Sequence, residues 1–188
     1  NLAAGLAKVG QRVLLIDLDP QGNATMGSGV DKRALELTVY DVLLENASVK
    51  EVAQKSEQVG YDVLGANREL SGAEIELVSL ERRNERLKTA LQAVAADYDF
   101  VLIDCLPSLG TLLINALTAA DRVLIPVQTQ KFSMDGLQSL EALTQLVKAN
   151  TNPKLNLIGV LPTMVDRTKV SRTAIETLNE KYGEMLFR

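Results

Sequence analysis

The sequence of 188 residues contains no histidine and a single cysteine, Cys105. Without histidine, the chain cannot build serine–histidine or cysteine–histidine nucleophile systems, and imidazole acid–base catalysis is excluded. A single cysteine excludes an internal disulfide framework and removes most zinc sites. Chemistry in this chain must therefore depend on carboxylates, lysine, backbone amides or a hard metal ion, and we interpret Cys105 as a small apolar side chain.

Long apolar runs are also missing from the sequence. No segment approaches the ~20 apolar residues that a membrane-spanning helix needs, and no signal peptide is visible, so we expect a reducing, cytoplasmic setting. The net charge of −4 and the pI near 5.0 argue against a surface that is basic throughout, although a local basic patch is still compatible with nucleic-acid binding. With 46% hydrophobic residues, the chain is long enough for one well-cored domain, and we expect a single domain over residues 1–188.

Segment 13–23 is the most informative stretch of the chain. Its first four residues are aliphatic with no polar alternation, which predicts a strand covered on both faces, as in a parallel sheet. Asp17 and Asp19 follow at the carboxyl end of this strand, where open α/β sheets bind their ligands. Residues 20–23, with one proline and one glycine, predict a tight exposed loop.

Strands and helices alternate along the rest of the chain. Apolar periodicity and capping signals predict helices over 2–9, 38–45, 48–55, 70–97 with a break near 79–81, 111–120, 134–149 and 171–182. Short aliphatic runs predict strands over 13–17, 61–64, 100–104, 122–127 and 155–161. This alternation indicates βαβ units and an α/β fold with a mostly parallel sheet.

A second aliphatic run ends in aspartate at Asp104. Carboxylates at the ends of two buried strands are typical of a site for a hard cation and phosphate, with Mg²⁺ bound directly or through water. The alternative is that these aspartates only form turns, as many isolated ones do. The repeated pattern favours the magnesium site.

The chain has no glycine-rich loop that ends in lysine and serine or threonine, the usual cradle for phosphates. Three pairs of glycines have the right separation but lack the following lysine: Gly5 and Gly10, Gly22 and Gly27, and Gly60 and Gly65. We interpret all three pairs as coincidences.

Five segments in order along the chain resemble the ParA/Soj family of chromosome- and plasmid-partitioning ATPases: LLIDLDPQGNAT at 14–25, GAEIEL at 72–77, IDCLPSLG at 103–110, NALTAAD at 115–121 and IPVQ at 125–128. The resemblance implies a three-layer fold of the P-loop type, with a mostly parallel, twisted sheet and helices on both faces. It also implies ATP and Mg²⁺ as cofactors. In that family a deviant P-loop lies just before the residues that match the start of this chain, so we expect a domain truncated at both ends.

The resemblance also assigns roles to individual residues. It makes Asp19 the catalytic residue that orients the hydrolytic water, and it makes Asp104 the metal-linked aspartate that holds Mg²⁺ through water. The cofactor-binding residues that it implies are Asp17 at the strand tip, Pro107 near the γ-phosphate and the dimer face, and Thr163 and Asp166 beside the base.

Three basic residues follow the base-side segment: Arg167, Lys169 and Arg172. By resemblance they are candidates for nonspecific contact with the DNA backbone, which would be salt-sensitive and independent of sequence. The equally weighted alternative is that they are ordinary solvated side chains.

The resemblance implies an ATP-dependent homodimer that binds DNA nonspecifically, lies on the nucleoid in the cytoplasm, and is stimulated by a ParB/Spo0J-like protein. No membrane contact is expected. Two alternatives stay open: a positioning ATPase of the MinD type that lies on the membrane surface, and a non-enzymatic remnant without a P-loop.

We predict that residues 1–188 by themselves bind ATP with a millimolar or weaker dissociation constant. The reason is that they contain neither the nest of backbone amides nor the lysine that hold phosphates. Isothermal titration calorimetry measures the affinity, and a micromolar dissociation constant would contradict the prediction.

Overall fold

The computed structural model describes residues 1–131 and 134–187, which form two compact units. The first comprises Asn1–Ala119, and the second begins at Ala120. In the first unit the elements are α1 (Leu2–Lys8), β1 (Val13–Leu18), α2 (Asn23–Gly27), α3 (Val39–Leu43), α4 (Val49–Val52), β2 (Gln54–Ser56), β3 (Tyr61–Leu64), α5 (Leu70–Val78), α6 (Arg86–Gln92), β4 (Phe100–Cys105) and α7 (Thr111–Ala119). In the second they are β5 (Arg122–Gln128), α8 (Met134–Asn150), β6 (Asn156–Thr163) and α9 (Lys169–Tyr182), with 3₁₀ turns at Thr129–Lys131 and Gly183–Met185.

The sheet of the first unit has the strand order β2-β3-β1-β4. Strand β1 runs parallel to both of its neighbours, and only the edge strand β2 is antiparallel. In the pairing of β1 with β4, Val13 lies opposite Phe100 and Asp17 lies opposite Asp104. The two strands that carry an aspartate one residue before their carboxyl ends are therefore neighbours in matching register.

Both faces of β1 are buried, as the unbroken aliphatic run predicts. Leu14, Ile16 and Leu18 enter an apolar core with side chains of α3, α5, α6 and α7. Val13 and Leu15 point to the opposite face and pack with α1. Each fully buried aliphatic side chain contributes roughly 1.5–3 kcal/mol, so the sheet is stabilised from both sides in three layers.

An ion pair joins the amino ends of β1 and β4. Arg12 Nη2 lies 2.8 Å from Asp99 Oδ1, and the backbone N–H of Arg12 donates to the same carboxylate at 2.9 Å. The hydrogen bonds from Arg12 lower the pKa of Asp99 to about 2. Because both side chains are exposed, the pair contributes little stability and mainly supports the register of the strands.

The second unit pairs β5 and β6 in parallel. Its core contains Ile125 and Val160 from the strands and Leu137 and Leu178 from α8 and α9. Glu141 on α8 accepts hydrogen bonds from Lys181 Nζ and from Tyr182 Oη, each at 2.6 Å. These contacts attach α9 to α8 within this unit.

The predicted helix over 48–55 is too long. Ser48 caps α4 in a capping box with Glu51, as its sequence predicts, but the helix ends at Val52. Residues 54–56 instead form β2, the antiparallel partner of β3. Ser56 donates a hydrogen bond to the carbonyl of Ser28, a long-range contact that local helical periodicity cannot reveal.

Other boundaries also differ from the predictions. The predicted helix over 70–97 is two helices, α5 and α6, and the break between them is wider than expected, with Arg82 at a positive φ of 51°. The loop predicted at 20–23 leads into α2, a short helix that the sequence analysis missed. Helix α9 begins two residues earlier than predicted because the Thr168 side chain caps it by accepting from the N–H of Ser171.

The prediction of an α/β fold with a mostly parallel sheet and surrounding helices is confirmed. That residues 1–188 form a single domain stays a prediction. Across the described ranges, no helix combines the length and the apolar character that a membrane crossing requires.

Candidate active site

Three carboxylates gather at the carboxyl edge of the first unit's sheet. Asp17 and Asp104 occupy paired positions on β1 and β4, and Asp19 follows one residue after the end of β1. This is the edge where parallel sheets bind ligands. The structure thus brings together the three aspartates that the sequence singled out.

Asp17 is fully buried and accepts three hydrogen bonds. Its Oδ2 accepts from the backbone N–H of Thr25 at 2.8 Å and from Thr25 Oγ1 at 2.7 Å, while its Oδ1 accepts from the N–H of Asp19 at 3.1 Å. A buried carboxylate needs such partners because an unpaired charge in the interior is costly. Asp17 therefore holds the segment that carries Asp19 at two points, Asp19 itself and Thr25. The place of Asp17 in the magnesium environment stays a prediction.

Thr25 is a site residue that the sequence analysis missed. Its buried hydroxyl donates to Asp17 and accepts from the backbone N–H of Ala66 at 3.0 Å, so it links the segments that follow β1 and β3. A threonine eight positions after an aspartate has no periodicity that would predict this contact. The available signal was its place in the LLIDLDPQGNAT segment, where it closes the motif.

The loop of residues 19–22 is a tight turn. Asp19 Oδ1 accepts from the N–H of Gln21 at 2.8 Å, and the Asp19 carbonyl accepts from the N–H of Gly22 at 2.8 Å. Gly22 has a φ of 60°, and a Cβ at this position would lie 2.6 Å from the carbonyl oxygen of Ala66. Only glycine meets both conditions without strain.

Asp104 is an exposed carboxylate in a negative environment. Partial removal of its water raises its pKa, and the negative charges of Asp17 and Asp19 raise it further. A divalent cation would relieve this repulsion, so the residues fit Mg²⁺. The three aspartates are not arranged to hold an ion jointly, since within residues 1–131 and 134–187 no group of three or more potential ligand side chains could do so. Mg²⁺ commonly uses only one or two carboxylates together with water and substrate phosphates.

Cys105 follows Asp104 and packs, half-buried, against the core. Burial raises its thiol pKa to about 12, with a smaller contribution from the negative charge of Asp104. The side chain is therefore a neutral thiol at physiological pH, in keeping with its interpretation as an apolar residue.

The loop after Asp104 ends against α5. Pro107 is exposed in this loop. At the end of the loop, Gly110 lies so close to the Glu74 carboxylate that a Cβ would overlap it. Glu74 Oε1 is buried and has no hydrogen-bond partner among the described residues. Glu74 is thus a second residue near the site that the sequence analysis did not single out, although it belongs to the GAEIEL segment.

In the second unit, Asp166 organises the turn that precedes α9. Its Oδ1 accepts from Thr168 Oγ1 at 2.6 Å and from the Thr168 N–H at 3.0 Å, while Gln130 Nε2 donates to its Oδ2 at 2.7 Å. The hydrogen bonds from Thr168 lower its pKa most. Thr163 lies at the end of β6 opposite Gln128. Contact of Thr163 and Asp166 with a nucleotide base stays a prediction.

Arg167, Lys169 and Arg172 are exposed in the turn before α9 and in its first turns. Lys169 also lines an open cavity of about 390 Å³, with Gln130 and Thr173 on its wall. None of the three basic side chains forms an ion pair that the structure shows in its described part. They are therefore available to bind an anionic partner.

A parallel sheet with carboxylates at its carboxyl edge is typical of the P-loop class of α/β nucleotide-binding proteins. Residues 1–157 match the family model described as an AAA domain. The chain belongs to the ParA/Soj family of partitioning ATPases, as the resemblance implied.

Two relatives, named Soj and ParA, support this membership, and a solved structure of a differently named enzyme has the same fold. The sporulation initiation inhibitor protein Soj of Bacillus subtilis is 46% identical across 100% of this chain and 75% of its own length. The chromosome partitioning protein ParA of Caulobacter vibrioides is 43% identical across 100% of this chain and 71% of its own length. A structure of cobyrinic acid a,c-diamide synthase from Mycobacterium smegmatis, with bound ATP analog and magnesium, has a TM-score of 0.91 and 39% identity, covering 97% of this chain and 75% of that one.

We predict that Thr25→Val lowers the free energy of unfolding by about 1–3 kcal/mol. The substitution keeps the shape of the side chain but leaves Asp17 Oδ2 and the N–H of Ala66 each without one buried partner. Urea unfolding followed by circular dichroism measures the change.

Thr25→Ser is the matched control, because serine keeps the hydroxyl and loses only a methyl group. It should cost less than the valine variant. Equal stability of wild type and Thr25→Val would contradict the assigned role of the hydroxyl.

Proposed function

We propose that this chain carries the water-orienting aspartate, Asp19, and the magnesium-linked aspartate, Asp104, of a ParA-type ATPase that hydrolyses Mg-ATP. One observation carries the proposal: Asp17, which also accepts from Thr25, holds the backbone N–H of Asp19 at the sheet edge, and Asp104 lies opposite Asp17 on the neighbouring strand. The ATP analog and magnesium in the 39% identical structure support the same cofactors here.

The proposed division of labour follows from the contacts. Asp104 has the exposure and the negative surroundings to hold Mg²⁺ through water. Mg²⁺, when bound, neutralises charge on the transferred phosphoryl group. Asp19 uses one carboxylate oxygen for the N–H of Gln21, so its other oxygen is available to orient the attacking water. Asp17 acts indirectly, because it accepts a hydrogen bond from the backbone N–H of Asp19 and so fixes the position of that residue.

We predict that Asp19→Asn in the full-length protein lowers kcat for ATP hydrolysis by about 10²-fold or more. The amide can still accept from the N–H of Gln21, so the turn is preserved, but the negative charge that orients water and accepts its proton is lost. ATP affinity should change little. A colorimetric phosphate assay gives kcat, and fluorescent-nucleotide titration gives the affinity.

Asp97→Asn is a matched control for this variant. Asp97 is an exposed aspartate that precedes β4 at the amino end of the strand, where it pairs with Lys50 Nζ at 2.9 Å, whereas the three carboxylates of the site lie at the carboxyl end. This variant should retain wild-type turnover. Turnover by Asp19→Asn that equals the wild-type rate would rule out the catalytic role of Asp19.

We further propose that the ATP-bound protein is a homodimer that binds DNA nonspecifically through Arg167, Lys169 and Arg172. Their exposure and the absence of ion pairs in the described part of the chain support this use. A ParB/Spo0J-like protein would then accelerate hydrolysis and release the dimer from DNA in the nucleoid. The curated relatives named for chromosome partitioning support such a cycle.

We predict that the double variant Lys169→Gln/Arg172→Gln weakens DNA binding and reduces the salt slope by about two, since each lost phosphate contact removes about one unit. Fluorescence anisotropy between 50 and 200 mM salt, with ATP present and two duplexes of unrelated sequence, measures both quantities. The loss should be equal for both duplexes.

Lys148→Gln serves as the control, because it removes an exposed cation from the last turn of α8. If the double variant binds DNA as tightly as this control, with the same salt slope, the assignment of these two basic residues is wrong.

A further inference from the structure

The middle of the Asp19 loop is held from outside by a lysine. The loop's own hydrogen bonds, from the N–H of Gln21 to Asp19 Oδ1 and from the N–H of Gly22 to the Asp19 carbonyl, both lie within residues 19–22. Among the side chains that the structure describes, Lys32 is the one that reaches the Gln21 carbonyl, and its Nζ donates a hydrogen bond there.

A separate turn presents Lys32 to the loop. Asp31 Oδ1 accepts from the N–H of Arg33 at 3.0 Å, and the Asp31 carbonyl accepts from the N–H of Ala34 at 3.0 Å. These two bonds fix the backbone on either side of Lys32. The backbone position of Lys32 is thus set by its own segment, and the side chain reaches the Asp19 loop from there.

The methylene stem of Lys32 lies directly over Gly22. A Cβ on Gly22 would be 2.8 Å from Lys32 Cδ, so glycine leaves the space that the stem occupies. Lys32 is half-buried as a result, with its apolar stem packed on the backbone and its charged end at the carbonyl.

These contacts restrain Gln21 at both of its backbone polar groups. Its N–H is held by the carboxylate of Asp19 and its carbonyl is held by the ammonium group of Lys32. A hydrogen bond with one charged partner is stronger than a neutral one. Movement of Gln21 would displace the N–H that orients the Asp19 carboxylate, so the lysine contact acts on the aspartate through Gln21.

We propose that Lys32 is a positioning residue for Asp19, which clamps the Gln21 carbonyl and thereby holds the Asp19 carboxylate in the orientation used for hydrolysis. The inference rests on the proposed catalytic function of Asp19 and goes beyond it by naming what holds the loop from outside.

The test compares Lys32→Met, Lys32→Arg and Arg33→Met in the full-length protein. Methionine keeps an apolar stem and loses the donor, and arginine keeps a charged donor. Arg33→Met removes the neighbouring exposed cation, whose side chain forms no hydrogen bond or ion pair that the structure shows in the described part of the chain. For Lys32→Met we expect kcat for ATP to fall about threefold to tenfold while KM changes less than about twofold, because misplacement of a catalytic group acts on the chemical step. Lys32→Arg should stay within about twofold of the wild-type kcat, and Arg33→Met should match the wild type.

Amide hydrogen exchange supplies a readout that does not depend on activity. In Lys32→Met, peptides that cover residues 19–25 should exchange faster than in the wild type, while the melting temperature and the exchange of β1 and β4 stay unchanged. Unchanged kcat, or a lower kcat with unchanged exchange in this loop, would overturn the proposal. If Asp19→Asn suppresses turnover and Lys32→Met does not, only the clamp is wrong; if neither variant affects turnover, the proposed function of Asp19 is wrong as well.

Discussion

The geometry of the site depends on the hydrogen bonds between Asp17 and Thr25. The carboxylate is fully buried, and its partners are a backbone N–H and a hydroxyl eight residues further along the chain. A charge in this position is tolerated only because these donors replace water. The same bonds close the loop that carries Asp19. One interaction therefore both offsets the cost of burying Asp17 and positions Asp19.

The sequence is most informative where burial alone dictates structure. The aliphatic runs before Asp17 and Asp104 predict two strands covered on both faces, and the carboxyl edge of a parallel sheet then places their aspartates together. Contacts between distant segments were not predictable in this way. The bridge from Thr25 to Ala66 and the packing of Glu74 on Gly110 join residues far apart in the chain, and no local periodicity encodes them.

The same distinction explains the errors in secondary structure. Residues 54 and 55 continue a helical pattern locally, but pairing with β3 and the hydrogen bond from Ser56 to Ser28 stabilise a strand over Gln54–Ser56 instead. A tertiary contact that satisfies several backbone groups outweighs the small differences in helix propensity between residues. The start of α9 was missed for a smaller reason, because a single threonine cap moves a helix boundary by two residues.

The three carboxylates differ in how many protein donors they already have, and this difference separates their chemistry. Asp17 is fully buried and accepts three hydrogen bonds, which leave it about one lone pair, on Oδ1, for any further partner. Asp19 Oδ1 accepts one hydrogen bond, from the backbone N–H of Gln21. This bond orients the carboxylate and leaves its other oxygen available. Partial loss of water raises the pKa of Asp104, and the negative charges of Asp17 and Asp19 raise it further, so this exposed carboxylate is the one that gains most from a cation. The three proposed roles, an anchor, an oriented acceptor and a cation ligand, thus follow from three identical side chains through their surroundings alone.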